Sequence, residues 1–352
     1  MTVLERYIFR QVFFSILVVL IVVLGLDVLI AFLDQMNRLN DHYTLSGAVH
    51  YVAWTSPRRL YEYITLGTLV GVMIGLGMMA SQSELTVMRA AGVSTLRILF
   101  IVYKPVLLMA ALGLVLGQYV APVTEQKAQS VRAIAMAGGG GYSTSGVWHK
   151  EGNTFIFINA VESGEKIHGV TRYEFAEDLQ LTRSSTARYG EFHDGAWVLE
   201  NIRETRIQDE KVTTDRLSEE VWKTGLTPEL LSIVVVEPVD LSITGLWDYA
   251  TYLKQQGVSA DLYLQAFWAK LLQPLSTAAL VLVGISFIFG PLRSVPIGQR
   301  IITGVILGLV FKFTQDMLGP ASSVYGFPPL LATLIPIIAS ALGGLYLLRR
   351  AG

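Results

Sequence analysis

The chain has 352 residues, 52% of them hydrophobic and 16% charged, with a formal net charge of −1, no cysteine and a mean hydropathy of +0.49. It is more apolar than a soluble domain of this length, so a bilayer is the solvent for much of it. No disulfide can support any part of it, and no nucleic-acid partner is expected.

The first apolar run, Val12 to Leu33, is broken only by Ser15, Gly25 and Asp27. At about 1.5 Å per residue it covers the roughly 30 Å hydrocarbon core, and no small-residue cleavage site follows, so it is expected to be a retained anchor. Five further runs fit the same length, at roughly 60–80, 97–119, 266–289, 299–318 and 329–348. Six spans put both termini on one side. Arg6, Arg10, Arg89, Arg97, Arg293, Arg300, Arg349 and Arg350 fall on that side, against Arg38, Arg58 and Arg59 opposite, which makes the termini cytoplasmic.

The long insert at 125–260, between spans 3 and 4, then lies outside the cytoplasm, since long domains cross regardless of charge. Its texture differs from the rest. "NTFIFINAV" (153–161), "GVTRYEFAED" (169–178) and "AWVLENIRETRI" (196–207) are β-rich runs separated by turn residues, which predicts an all-β sandwich or jelly roll. The insert is acidic, so the net charge hides an acidic outer domain and a basic cytoplasmic face. A Gly-rich linker, "AGGGGYSTSG" (137–146), leads in, and a helix from Leu246 to Ala260 leads back to span 4. The expected division is therefore 1–124 (spans 1–3), 125–260 (the β domain with helical linkers) and 261–352 (spans 4–6).

Chemistry-bearing motifs are sparse. The five histidines, 42, 50, 149, 168 and 193, show no helical metal-ligand pairing, and neither a G-x-S-x-G elbow nor a phosphate-binding loop is present. Any energy used comes from a partner or a gradient. Charges inside spans are costly and therefore informative. Asp27 lies about two turns inside span 1, and Lys312 and Asp316, four apart, share one face of span 5. They suit either a polar cavity wall or a local ion pair at the interface. Arg132, in a helical continuation of span 3, can hold a phosphate bidentately or stay solvated; Arg38 reads the same way beyond span 1, with Asp34 beside it as a candidate for the cavity wall. Glycines four apart (67, 71, 75; 113, 117; 304, 308) let helices approach closely.

Between spans 2 and 3, "SQSELTVMRAAGVS" (81–94) reads as a short helix, started by Ser81 or Ser83 and ended by Gly92. Leu85, Met88, Ala91 and Gly92 share one face, with Glu84 and Arg89 beside it. One Arg, one Glu and a narrow apolar stripe fit a protein groove better than a lipid surface.

"SELTVMRAAG", "VAPVTEQKA" (120–128), "ISFIFGPLRSVPIGQR" (285–300), "VYGFPPLLATLIP" (324–336) and "LERYIFR" (4–10) together resemble the LptF/LptG permease family of the lipopolysaccharide exporter, essentially end to end. The resemblance implies an inner-membrane permease, not an enzyme, paired with LptF above two copies of the ATPase LptB, which hold the ATP and magnesium; this chain itself would need no cofactor. The segment at 81–94 would be the coupling helix in an LptB groove, with Glu84, Leu85, Met88 and Arg89 as contacts. LptC beside span 1 and LptA beyond it would continue the route. The resemblance also implies basic residues meeting lipid A phosphates, with Arg132 and Arg38 at matching positions, whereas a position before "FLDQ" that can be lysine in relatives is Ala31 here. A mechanotransmission subunit that moves its outer domain without carrying lipid is the competing expectation; lipid adducts in the cavity would separate the two.

Overall fold

The computed structural model describes residues 3–39, 43–137, 147–162, 166–208, 211–228, 231, 238–255, 259–290 and 295–351. His42, Arg293 and the glycines of the linker at 138–146 lie outside the described residues. The chain divides into two compact units: Met1–Ile30, Ser56–Pro122 and Ser242–Gly352 form the first, and Ala31–Thr55 and Val123–Leu241 the second.

The helices are α1 (Val3–Met36), α2 (Leu45–Ser81), α3 (Glu84–Ala90), α4 (Thr95–Val115) and α5 (Ala121–Ala137), the last two joined by one π turn at Leu116–Val120. After the sheet come α6 (Ile243–Gln255), α7 (Asp261–Leu271), α8 (Gln273–Phe289), α9 (Ile297–Tyr325) and α10 (Pro329–Ala351). Among the described residues five helical runs are long and apolar enough to cross a membrane, and a sixth if α7 and α8, bent by 58° at their junction, make one span. The expected fourth span, at 266–289, falls on this bent pair. Pro274 at the start of α8 cannot donate a backbone hydrogen bond back into α7, which suits the break.

In the first unit α2 is the hub. Ile8, Val12, Ile16 and Leu20 of α1, four apart, are buried against it, while Phe14, Val18, Ile21 and Val22 on the opposite face are exposed, as befits a helix with protein on one side and lipid on the other. The glycines 67, 71 and 75 are the reason the two helices can touch. A Cβ on Gly71 would stand 2.4 Å from Cα of Ile16, and one on Gly67 2.4 Å from a methyl of Leu20. Gly304 and Gly308 bring α9 onto Met73 and Leu66 of α2 in the same way. Close packing within the chain, not a subunit contact, accounts for these stripes. Helix α8 is the most enclosed, with Ala279, Leu280, Val281, Ile285 and Ile288 all buried.

The second unit contains six antiparallel strands, β1 (Val147–Glu151), β2 (Thr154–Glu162), β3 (Lys166–Phe175), β4 (Leu181–His193), β5 (Ala196–Gln208) and β6 (Lys211–Trp222), in one sheet ordered as in the chain. The expected sandwich or jelly roll needs two packed sheets; the described strands supply one. Its core gathers Ile156, Ile158, Ile167, Val170, Ala187, Trp197, Leu199 and Ile202. Inward residues recur every second position, except for one step of three in each of β2 to β5 (158 to 161, 167 to 170, 187 to 190, 199 to 202). These steps line up across the sheet: Ile158 pairs with Val170, Ala187 and Ile202 follow in register, and the next pairs on are Ala160 with His168 and Tyr189 with Glu200. Gly169 (φ +64°) and Asn201 (φ +52°) take up the left-handed backbone at this crease.

At one end of the inner face sits an ionic network. Arg172, 4% exposed, donates to Ser185 and Glu220 and lies over the Trp222 ring. Arg183 reaches Glu174, Glu204 and Glu220 at 3.0, 3.0 and 3.1 Å, and Arg206 also contacts Glu204. Burial alone would push the Glu204 carboxyl up, but Arg183 and Arg206 more than reverse this and hold it below the usual range.

Candidate functional site

The segment at 81–94 folds as the seven-residue α3, with a different cap from the one expected. Ser83 sits at φ +62° with no side-chain cap, and the Ser81 hydroxyl donates instead to the carbonyl of Met78, back into α2. Gly92, at φ +88°, donates its N–H to Arg89 and so marks the end as expected.

Which face α3 presents also differs. Leu85 is 5% exposed, and both it and Met88 pack into the unit's own core, so the apolar stripe anchors the helix. Glu84 accepts a hydrogen bond from the Tyr7 hydroxyl of α1 at 2.9 Å to each carboxylate oxygen. Arg89 is half-buried and, with Leu85 and Thr86, lines a small recess against Ile288 and Phe289 at the end of α8. The open face is Thr86, Val87 and Ala90, with Val87 65% exposed. Spacing alone could not show which side of so short a helix meets its own chain; the adjacent β-branched pair Thr86 and Val87, outside the apolar stripe, was the available signal.

The intramembrane charges form pairs in the first unit. Asp27 accepts from Arg59 at 2.6 Å and from the Tyr63 hydroxyl at 2.9 Å. All three are at most half-exposed, so this α1–α2 contact is a satisfied pair. Lys312 lies 3.6 Å from Asp316 on α9 and 3.9 Å from Glu62 on α2, which in turn is 3.9 Å from Arg58. Both Lys312 contacts are too long for hydrogen bonds, and its side chain is 58% exposed. Charge partners Arg59, Glu62 and Tyr63 were missed by reading each span separately, although Arg58 and Arg59 were visible as loop charges.

In the second unit Arg38 pairs with Asp34 at 3.4 Å on the exposed end of α1. Ala31, where relatives were expected to carry lysine, is buried. Arg132 is half-buried on α5, its guanidinium carbon 4.8 Å from the centre of the Tyr51 ring, and Lys127 stands 4.4 Å over Trp54. Both cations are thus held on aromatic faces of α2. Tyr43 donates to Gln35, and burial pushes its hydroxyl pKa upward. Among the described residues no group of three or more His, Asp or Glu could hold a metal ion.

The model of the family described as lipopolysaccharide export system permease LptF/LptG matches residues 6–350. The lipopolysaccharide export system permease protein LptG of Escherichia coli strain K12 is 38% identical over 354 residues, covering 99% of this chain and 98% of that protein, and LptG of E. coli O6:H1 is equally similar. LptG of Haemophilus influenzae is 35% identical over 339 residues, covering 95% and 94%. At this identity along nearly its full length, the chain belongs to the LptF/LptG family of lipopolysaccharide export permeases.

Proposed function

We propose that this chain is the LptG-type transmembrane subunit of an ABC transporter that takes lipopolysaccharide from the outer leaflet of the inner membrane, with ATP hydrolysed by a partner and not by this chain. The observation that carries the mechanism is the anchoring of α3. Its inward face is fixed by Leu85 and Met88, and Glu84 is tied to α1, so a push on Thr86, Val87 and Ala90 moves the helix and its anchors together. An LptB groove receiving that face would supply the push, LptF would complete the cavity, and LptC and LptA would receive the lipid. The termini and α3 are cytoplasmic in this reading, and the six-stranded sheet is the periplasmic part, one wall of a jelly-roll-like domain.

Charges facing the lipid divide by how firmly they are already held. Asp27 and Arg59 satisfy one another and fix α1 on α2. Lys312, Arg132 and Arg38 are exposed or half-exposed cations whose partners leave donors open, and they suit phosphate groups on the lipid. Asp316 and Asp34 hold Lys312 and Arg38 until phosphate displaces them.

The test is ATP-dependent release of lipopolysaccharide from proteoliposomes containing the chain with LptF, LptB and LptC. Wild type should release lipid, while Val87→Asp and Glu84→Ala should assemble less ATPase or lose release. A complex that hydrolyses ATP yet never releases lipid would overturn transport in favour of mechanotransmission.

A further inference from the structure

The inner end of α9 carries Arg300 in its first turn, and this arginine is 1% exposed. As a sequence feature it belongs with the cytoplasmic charges of a short loop, which are ordinarily solvated. A cation in that position also opposes the helix dipole, whose positive end is the N-terminus. Burial there is costly unless the group is held by good acceptors. Among the described residues the Arg300 guanidinium donates to the main-chain carbonyl of Gly77 in α2. Gly77 lies four residues before the end of α2 and seven before α3 begins. A Cβ at position 77 would stand 2.9 Å from both Cδ and Nη1 of Arg300, so the absence of a side chain makes the seat for the guanidinium.

We infer that Arg300 is a positioning residue that fastens α9 to the docking end of α2, so that displacement of α3 is delivered to α9; this rests on the transport reading above. Farther along, α9 meets α2 through Gly304 on Met73 and Gly308 on Leu66, smooth apolar contacts along which two helices can slide or roll. A hydrogen bond from a planar guanidinium to a main-chain carbonyl fixes register where those contacts do not. Tyr7 on Glu84 does the same for α1. Each of the two spans flanking α2 therefore has its own polar tie to the segment a partner ATPase would push, one to the side chain of α3 and one to the backbone just before it.

The experiment measures lipopolysaccharide released and phosphate produced in the same proteoliposomes, with the full complex, for wild type, Arg300→Gln, Arg300→Lys and Gly77→Ala. The readout is lipid released per ATP hydrolysed, which a merely structural defect lowers little because it reduces both quantities together. Arg300→Gln and Gly77→Ala should keep ATP hydrolysis within about twofold of wild type while the ratio falls about tenfold, the size of an ordinary coupling between sites. Arg300→Lys, which keeps the charge without the fork, should fall between. An unchanged ratio in either assembled variant overturns the inference. So does loss of assembly in both, because Arg300 would then serve stability alone. If only Arg300→Gln fails to assemble, Gly77→Ala decides. Wild-type complex that hydrolyses ATP without releasing lipid would instead overturn the transport reading, leaving a distinct signature.

Discussion

The helical unit and the β sheet hold themselves together by different means. In the helical unit the contacts of α2 with α1 and α9 run through glycine, and the outer faces are as apolar as the inner ones. In the sheet the buried apolar set lies on one face and closes around Trp197, with ion pairs at its end. Lipid gives no hydrophobic force between helices, so close approach and dispersion must do the work; water rewards the sheet for every apolar group it hides. A single added side chain should therefore damage the helical unit most, whereas a removed one should damage the sheet most.

Gly71→Leu should have the largest effect, because even its Cβ overlaps the α1 backbone at Ile16. Loss of the assembled complex on size-exclusion chromatography is expected, and recovery of normal assembly would break the contrast. Next is Trp197→Ala. Trp197 is fully buried, donates to the Leu226 carbonyl at 2.7 Å and meets Phe192 at 5.2 Å between ring centres. Its truncation should destabilise the sheet by about 3–5 kcal/mol, seen as earlier loss of protease resistance in that region. Glu204→Gln removes a carboxylate that is 2% exposed and shared by Arg183 and Arg206, and should cost about 2 kcal/mol in the same assay.

Acid should sharpen the same point. Glu204 has its pKa depressed in the folded state, so its contribution is complete above the ordinary value of about 4.5 and is lost as pH falls below that, through the folded pKa. His149, lowered by burial against a weaker opposing pull from Glu151, loses its contribution earlier, as pH falls below 6.5. The sheet should thus unfold progressively below about pH 6.5 and more steeply below 4.5, and Glu204→Gln should flatten the lower step. Smallest in stability is Lys312→Ala, within about 0.5 kcal/mol because its ion pairs are long and exposed. Its effect should appear as weaker lipopolysaccharide retention in vesicle crosslinking; unchanged crosslinking would remove Lys312 from the lipid path.

The spans were legible because length and hydropathy suffice to find them, and the helix leading back from the insert, expected from Leu246 to Ala260, is present as α6 at Ile243–Gln255. Within the sheet, β2, β3 and β5 were readable from their aromatic and β-branched runs. Strand β6, "KVTTDRLSEEVW", was not, since nearly all of it is exposed and its charges erase any alternation. The crease hid more: a step of three inside each of β2 to β5 breaks the period-two signal just where alternation would be counted. At the candidate site, spacing joined Lys312 to Asp316 but could not join Lys312 to Glu62, which lies far away in the sequence on another helix. Arg300 was visible as a charge and invisible as a buried one, because burial at a helix end depends on the glycine opposite.

The broken span has a consequence for the bilayer. Helix α7 has 11 residues and α8 has 17, so they extend about 16 Å and 25 Å, and neither reaches across the roughly 30 Å hydrocarbon layer by itself. Together they exceed it, and the 58° bend sets how much of that length lies along the membrane normal. Opening or tightening the angle changes the vertical reach by several ångströms without drawing a polar helix end into oil. Where a straight span of fixed length must tilt as a whole, a bent pair crossing as one span follows a membrane that thins or thickens beside a bulky lipid by flexing at Leu272.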